Sequence, residues 1–442
     1  MNYNILIEEF CEINGLGQSK HIQLLPTGVA NRTYIVETTG GKYVIKAVNP
    51  ARIETDADVK RLEMTEQVAE IAKQNGLASI SARRINGKIV NVLKGQAYIV
   101  FDFFDGRVIP FRKITPEDCF KIGDLLVNLH QMNVDESLKL AFENTLKQHG
   151  YGGQIKFKIH WNYYFKQISK DHPAWLEIFE TNLDDLYEMT EKTFPYYLAY
   201  LPQDIVVAHS DMFSHNILWQ DELPHIIDWE RSSFIDATYD CLHTAVRWAT
   251  NFKDEEMSAS IDKQRLFAFF EGYVTKRALN VHDLEFLMHV ILYNRLTFLR
   301  RTLLKYLEAG DQIAKEQAEK VIRYSLAIFQ GYKGLLTELE DLKWHIIHHE
   351  SNYSAQKTPS HELIPKMQKL IEDHDAKVDE LTQQSNELIA KNQAEKKRVT
   401  ELEKQYQSQK RELDKLKADF NHVYKRAIGL RVVRKLKRLL KR

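Results

Sequence analysis

The chain has 442 residues, 44% of them apolar, so it is long enough to form about two to three domains with a full hydrophobic core. Three cysteines without CxxC spacing, an acidic N-terminus without a basic segment, and the lack of a long apolar run favour a reducing, cytosolic compartment over a secreted or membrane-spanning protein. The formal net charge is zero, but residues 425–442 contain nine Lys or Arg and no Asp or Glu, so the rest of the chain has 52 basic and 61 acidic residues.

The N-terminal part of the sequence predicts a small antiparallel sheet. An amphipathic helix is expected at residues 3–14, where Gly15 ends it. Short apolar or alternating runs predict strands, and the Gly, Pro and Asn residues between them predict turns. These strands are expected at residues 22–25, 32–37 and 43–48, followed by a charged helix at 56–75 and a hairpin formed by 88–93 and 97–104.

From Thr115 onward the sequence is mainly helical. Thr115 is a suitable N-cap and Pro116 a suitable first helical residue, and the acidic residues that follow favour the helix dipole. Further helices are expected at about residues 258–279, 283–307 and 313–339. The predicted elements therefore form a sheet-containing part followed by a helical part.

Two short apolar runs, at residues 205–208 and 225–227, predict strands on either side of a polar loop. Transfer of a phosphoryl group from ATP to a hydroxyl requires a carboxylate that orients the hydroxyl and accepts its proton, and oxygen ligands that hold magnesium against the phosphates. Asp211 suits the first role, and Asn216 and Asp228 suit the second. Asp and Asn are also common in ordinary turns, which is the alternative interpretation of this loop.

The spacing H-x-D-x-x-x-x-N at residues 209–216, followed by an apolar strand that ends in Asp228, resembles the catalytic and metal loops of the protein-kinase-like fold. Ser210 stands in place of the arginine of H-R-D, and D-W-E at residues 228–230 stands in place of D-F-G. These replacements resemble the aminoglycoside phosphotransferase and choline kinase family, whose members act mostly on small molecules.

The same resemblance implies an α+β, two-lobed protein-kinase-like fold, with a nucleotide-binding N-lobe at residues 1–105 and a helical C-lobe at residues 106–350. The loop between the first two strands then covers the nucleotide, with backbone N–H groups near the phosphates. A strand lysine pairs with the phosphates, and a carboxylate at position 66 or 63 holds that lysine, of which we favour the first. A plain hairpin turn and an exposed lysine are the alternatives. The candidate residues for binding Mg²⁺-ATP in this lobe are Gly28, Asn31, Thr33, Lys46 and Glu66.

Beyond residue 350 the composition changes. A polar linker is expected at residues 351–363, and apolar residues then recur in alternating steps of three and four through residues 364–424, which predicts a coiled coil. Asn392 falls at an a position, where asparagine fixes register. A coiled coil predicts a homo-oligomer, and a solitary charged helix is the alternative.

Residues 425–442 predict a basic amphipathic helix. Its apolar residues lie on one helical face, which suits an anionic membrane surface and places the protein at the inner face of the cytoplasmic membrane. Docking to a membrane-bound protein is the other option. Nucleic acid ranks lower, because no aromatic or base-recognising pattern is interleaved.

Together these features favour an ATP-dependent kinase. The coil and tail suggest an acceptor hydroxyl on a surface polysaccharide or lipid-linked glycan at the cytoplasmic membrane face. A soluble kinase acting on choline, an aminoglycoside or a similar alcohol is the alternative. A non-catalytic kinase-like scaffold is disfavoured, because the positions of the phosphate-binding lysine, the base and both metal ligands are all filled.

Overall fold

A computed structural model describes most of the chain up to residue 357 and a few residues beyond it. The described residues are 3–25, 31–135, 138–140, 158–171, 173–253, 258–357, 398, 401, 405, 408–410 and 415. Residues 1–356 form one compact unit and residues 357–442 a second. The described residues of the second unit from 398 onward are helical, while the other positions of the predicted coiled coil and the whole of the tail lie outside the described residues.

The N-lobe is built on a five-stranded antiparallel sheet in the order β1-β2-β3-β5-β4. Successive residues of β5 face opposite sides, so Tyr98 and Val100 pack with α1, and Ile99 and Phe101 pack in a separate cluster with Leu62 of α2. The elements are α1 (Tyr3–Ile13), β1 (Ser19–Leu24), β2 (Arg32–Thr38), β3 (Lys42–Ala47), α2 (Asp56–Gln74), β4 (Asn91–Leu93) and β5 (Gln96–Asp102).

The C-lobe is mainly helical and contains most of the largest hydrophobic cluster among the described residues, which also includes part of α2. Its helices are α3 (Pro116–His130), α4 (Trp161–Ile168), α5 (Leu176–Thr181), α6 (Leu183–Ala199), α7 (Ala237–Ala249), α8 (Lys263–Val274), α9 (Leu284–Glu308), α10 (Gln312–Leu335) and α11 (Leu339–Lys357). Three antiparallel strand pairs accompany them: β6 (Ile205–Ala208) with β9 (Ser233–Asp236), β7 (Ile217–Gln220) with β8 (Leu223–Ile226), and β10 (Thr250–Lys253) with β11 (Ser258–Ile261).

Helices α3 and α8 approach each other closely at two glycines. A Cβ atom on Gly123 would lie 2.0 Å from the carbonyl oxygen of Phe269, and one on Gly272 would lie 2.1 Å from that of Phe120. The start of α3 is as predicted, because Thr115 accepts a hydrogen bond from the backbone N–H of Asp118 in a capping box. These contacts fix α3 against α8.

Two predicted boundaries differ from the structure. The helix expected at residues 258–279 is wrong at its start, because residues 258–261 form β11 and Asp262 caps α8 by accepting hydrogen bonds from the N–H groups of Gln264 and Arg265. Helix α11 continues to Lys357, so the first seven residues of the predicted linker, 351–357, are helical. Across the described ranges, no helix combines the length and the apolar composition that crossing a bilayer requires.

Candidate active site

The polar loop after β6 brings Asp211 and Asn216 into direct contact. Strand β6 pairs with β9 at the start of the loop, and a 3-10 turn at Ser214–Asn216 closes it. The side-chain Nδ2 of Asn216 donates a hydrogen bond to the backbone oxygen of Asp211 at 2.9 Å. The backbone oxygen of Asn216 accepts from the N–H of Ile227 at 3.0 Å, so the loop is also bonded to the residue before Asp228.

Asp228 has a left-handed backbone conformation, with φ 61° and ψ 63°, which Asp adopts more readily than most residues. His209 fixes the polar loop beside it, because its Nε2 lies 3.0 Å from the carbonyl oxygen of Ile227. A carbonyl oxygen only accepts, so Nε2 donates. Burial lowers the pKa of His209, and its ring is therefore a neutral structural donor rather than a proton-transfer group.

Lys46 lies in the same cluster as Asp228, although the two are 182 residues apart in sequence. Its Nζ is 2.9 Å from Asp228 Oδ1 and 2.9 Å from Glu230 Oε1. Burial by itself lowers the pKa of Lys46, but the carboxylates of Glu230, Asp228 and Glu66 outweigh it and raise this pKa. Burial likewise acts to raise the pKa of Asp228, and Lys46 outweighs it, so both partners are charged at neutral pH.

Glu230 is a buried carboxylate that we did not identify as a site residue from the sequence. Its Oε1 accepts hydrogen bonds from Lys46 Nζ and from Asn31 Nδ2 at 2.6 Å, and its Oε2 accepts from Arg52 at 2.6 Å. Three N-lobe donors therefore converge on one C-lobe carboxylate. The signal was present in the sequence, because this acid occupies the position of the glycine of D-F-G.

Glu66 is fully buried on α2, whereas Glu63 is partly exposed. Its Oε2 accepts from the N–H of Ala82 at 3.3 Å, and its Oε1 has no hydrogen-bond partner among the described residues. Within the same residues no ion pair joins Glu66 to Lys46, whose carboxylate partners are Asp228 and Glu230. Burial raises the pKa of Glu66 to about 7, and the nearby charge of Lys46 opposes this rise.

The remaining N-lobe candidates lie on or beside β2. Thr33 is paired directly with Lys46 across the β2-β3 ladder, so the two side chains share one face of the sheet. Asn31 donates to Glu230 and its Oδ1 accepts from the N–H of Asn49 at 3.0 Å. Gly28 lies outside the described residues.

The site can be compared with known protein families. The model of the phosphotransferase enzyme family matches residues 21–273, which is more than half of the chain and spans every candidate site residue. The chain belongs to this phosphotransferase family. The family resemblance and the α+β, two-lobed kinase-like fold predicted from the sequence are both confirmed.

Individual relatives are distant. A homoserine kinase from Paramagnetospirillum magneticum is 25% identical over 293 residues, which cover 63% of this chain and 79% of the relative. A structure of spectinomycin phosphotransferase with ADP and spectinomycin is 14% identical with a TM-score of 0.51, and it covers 77% of this chain and 98% of that one. A second structure of spectinomycin phosphotransferase, in complex with AMP, is 15% identical with a TM-score of 0.51, and it covers 74% of this chain and 97% of that one. These structures show the shared fold.

In this phosphotransferase, Asp211 lies beside two arginines that we did not identify from the sequence. Arg247 of α7 donates to Asp211 Oδ1 at 2.8 Å, and Arg231 lies 4.0 Å from Oδ2. Burial acts to raise the pKa of Asp211, but Arg247 first and then Arg231 outweigh it and lower this pKa. Asp211 is therefore ionised at neutral pH, which is the form that accepts a proton.

A third arginine extends this positive region. Arg295 of α9 lies 3.5 Å from Nε2 of His243. Burial, together with Arg295 and Arg247, holds the pKa of His243 well below its ordinary value, so its ring is neutral and Nε2 accepts. Arg295 and Lys320 also line a cavity of about 190 Å³. Arg231, Arg247 and Arg295 thus concentrate positive charge beside Asp211 and His243.

Proposed function

We propose that this phosphotransferase moves the γ-phosphate of ATP to a hydroxyl group of its acceptor, with Asp211 orienting that hydroxyl and accepting its proton. The observation that supports the proposal is that the fold gathers Lys46, Asp211, Asn216 and Asp228 at one cluster. Ionised Asp211 is fixed by Arg247 through Oδ1, which leaves Oδ2 as the proton acceptor. Attack of the hydroxyl oxygen breaks the bond between the γ-phosphorus and the bridging oxygen, and ADP leaves.

Asn216 and Asp228 fit a divalent metal ion, for which we propose Mg²⁺. The nitrogen of the Asn216 amide is engaged with Asp211, so Oδ1 is the atom that remains to bind a cation. Asp228 is ionised and supplies carboxylate oxygens, the ligand type that Mg²⁺ prefers. When bound, the ion neutralises charge on the phosphate oxygens.

On the N-lobe side we propose that Lys46 binds the phosphates, with Asn31 and Thr33 beside it. Lys46 is charged and shares a sheet face with Thr33, and Asn31 contacts the same carboxylate as Lys46. Glu66, buried behind this cluster, supports the charge of Lys46 at a distance rather than by a direct ion pair.

Magnesium-dependent ATP binding and slow ATP hydrolysis test this assignment. The full chain is compared with Asp228→Ala and with a control, Asp184→Ala, which removes an exposed carboxylate from the start of α6. We expect the wild type and the control to bind ATP only when Mg²⁺ is present. We expect Asp228→Ala to lose this Mg²⁺-dependent binding. A wild-type chain that binds no nucleotide at millimolar ATP would instead favour a non-catalytic scaffold.

We further infer that the acceptor carries an anionic group near its hydroxyl. Arg247 pairs with Asp211, Arg231 lies 4.0 Å from it, and Arg295 lies beside His243 and lines a small cavity together with Lys320. Like charges in a partly buried site repel by several kcal/mol, so this arrangement disfavours cationic acceptors such as choline and aminoglycosides. A carboxylate or phosphate on the acceptor would pair with these guanidinium groups.

A panel of acceptors tests the inference. ATP consumption is measured with hydroxy acids, hydroxy amino acids and sugar phosphates, and with uncharged and cationic alcohols of matched size. Arg295→Gln is expected to raise KM for an anionic acceptor with little change in kcat. Equal turnover of cationic and anionic alcohols would contradict an anionic acceptor without affecting the kinase assignment.

Two sources of such an acceptor remain as proposals. A lipid-linked glycan carries phosphate, and the sequence of the predicted coiled coil at residues 364–424 and basic tail at 425–442 supports an oligomer acting at the membrane face. A soluble hydroxy amino acid is the second candidate, because the relative described above is a homoserine kinase. Deletion of residues 425–442 distinguishes them: loss of binding to anionic vesicles with retained ATP turnover favours the membrane site, and no vesicle binding by the full chain favours the soluble acceptor.

A further inference from the structure

Helix α11 places two histidines one turn apart on the side that faces α8. His345 and His349 are spaced i, i+4, so their rings lie on one helical face, with centroids 4.5 Å apart. Both approach the same carboxylate of α8: His345 Nε2 is 3.1 Å and His349 Nε2 is 3.3 Å from Glu271 Oε1. The three atoms all lie within 4.8 Å of one another.

The two separations from the carboxylate oxygen, 3.1 and 3.3 Å, are close to those between ligands of a tetrahedral zinc ion. Zinc binds imidazole nitrogen and carboxylate oxygen at ~2.0–2.2 Å, and neighbouring corners of a tetrahedron of that size are about 3.3–3.5 Å apart. Two imidazoles and one carboxylate are also a familiar zinc donor set that leaves the fourth position for water.

A simple ion pair between histidine and glutamate does not account for the whole cluster. Although His345 Nε2 is 3.1 Å from the carboxylate, it is buried and makes no directed hydrogen bond to any described residue. The ring of His345 is held by stacking on Phe267, with centroids 4.1 Å apart. A ring fixed in this way, with an unpartnered nitrogen directed at a shared carboxylate, is the arrangement that a cation completes.

We propose that Glu271, His345 and His349 form a binding site for Zn²⁺ that fastens α11 to α8. The side chains of Glu271 and His349 are about one-third exposed, so the ion and its water can enter from solvent. The site shares no residue with the Asp211 cluster. Its role is structural: it adds to the contacts of Lys263 with Glu338 and Asp341, which join the same part of the fold at 3.5 Å.

Zinc titration of the full-length protein, after dialysis against a chelator, tests the proposal. The variants are Glu271→Gln and the double change His345→Gln with His349→Gln. The control is His348→Gln, on the same helix but stacked on Trp344 rather than directed at Glu271. We expect one Zn²⁺ per chain and a rise in the unfolding temperature for the wild type and the control, and affinity at least about tenfold weaker for the ligand variants.

The Co²⁺ spectrum of the wild-type protein gives a check that needs no variant. Strong visible bands of tetrahedral Co²⁺, displaced by Zn²⁺, support the site. Weak octahedral bands, no zinc binding at micromolar concentration, or equal affinity in the wild type and the double variant would overturn it.

Discussion

Replacement of Arg247 by glutamine tests whether its guanidinium sets the protonation of Asp211. The two side chains are 2.8 Å apart and each is less than one-fifth exposed. Unit charges about 4 Å apart interact by about 4 kcal/mol at an effective dielectric constant of ~20. Arg231 remains nearby and water fills part of the space, so we expect the pKa of Asp211 to rise in this variant by less than the whole of this interaction would give.

The assay is the pH dependence of kcat/KM for ATP turnover. Arg247 favours the ionised form of Asp211, so its removal makes the carboxylate accept a proton at higher pH and moves the acid limb of the profile upward. Arg231→Gln is the matched control, because its side chain is 69% exposed and lies 4.0 Å from Asp211, and we expect a much smaller shift of the acid limb than in Arg247→Gln. Circular dichroism at each pH separates this shift from unfolding. An unmoved acid limb in folded Arg247→Gln would refute the reasoning.

Four further substitutions extend these tests. Asp211→Ala should abolish turnover while leaving ATP binding nearly intact, and it should lower the unfolding temperature because Arg247 loses its ion-pair partner. Circular dichroism should still show a folded protein, and retained turnover would remove Asp211 from its proposed role. The pKa of Glu66 is raised from 4.5 to about 7, so its protonated form stabilises the fold at low pH and this contribution is lost as pH rises from about 4.5 to about 7. Urea unfolding should therefore show Glu66→Gln gaining stability relative to wild type across that pH range; a constant difference would contradict this. Gly123→Ala should lower stability by about 1–3 kcal/mol because it forces α3 away from Phe269, whereas Gly334→Ala, with open space around it, should raise it by about 0.5–1 kcal/mol in thermal unfolding.

The parts of the site that were predictable are those whose chemistry is local in sequence. Asp211, Asn216 and Asp228 lie within one strand-loop-strand segment, so their spacing alone indicated a common loop, and the structure joins them through backbone and amide hydrogen bonds. Arg247 was not predictable in this way. It reaches Asp211 from a helix 36 residues later, and a lone arginine on a helix carries no motif.

The identification of other site residues depended on knowing which side chains are buried, and a single sequence does not give this directly. Glu63 and Glu66 were both acceptable by spacing, and only the packing of α2 shows that Glu66 is the buried one. Glu230 accepts hydrogen bonds from donors that are 178 to 199 residues away in sequence. Its role as a shared acceptor is visible only once the two lobes are brought together. The coiled coil stays a prediction, because most of its apolar seam lies outside the described residues.

Three consecutive residues of α8 contact two neighbouring helices, and one of these contacts continues through a histidine to a third helix. Glu271 contacts the histidines of α11, Gly272 meets the backbone of α3, and the hydroxyl of Tyr273 lies 2.7 Å from His130, whose other nitrogen is 3.1 Å from Asp240 of α7. A helix held by both α11 and α3 cannot turn about its own axis to relieve a change at one of these contacts. Substitutions at these positions are therefore coupled rather than additive, with interaction energies of about 0.5–3 kcal/mol in double-mutant cycles. Helix α8 therefore connects α11 with α3 and, through His130, with α7.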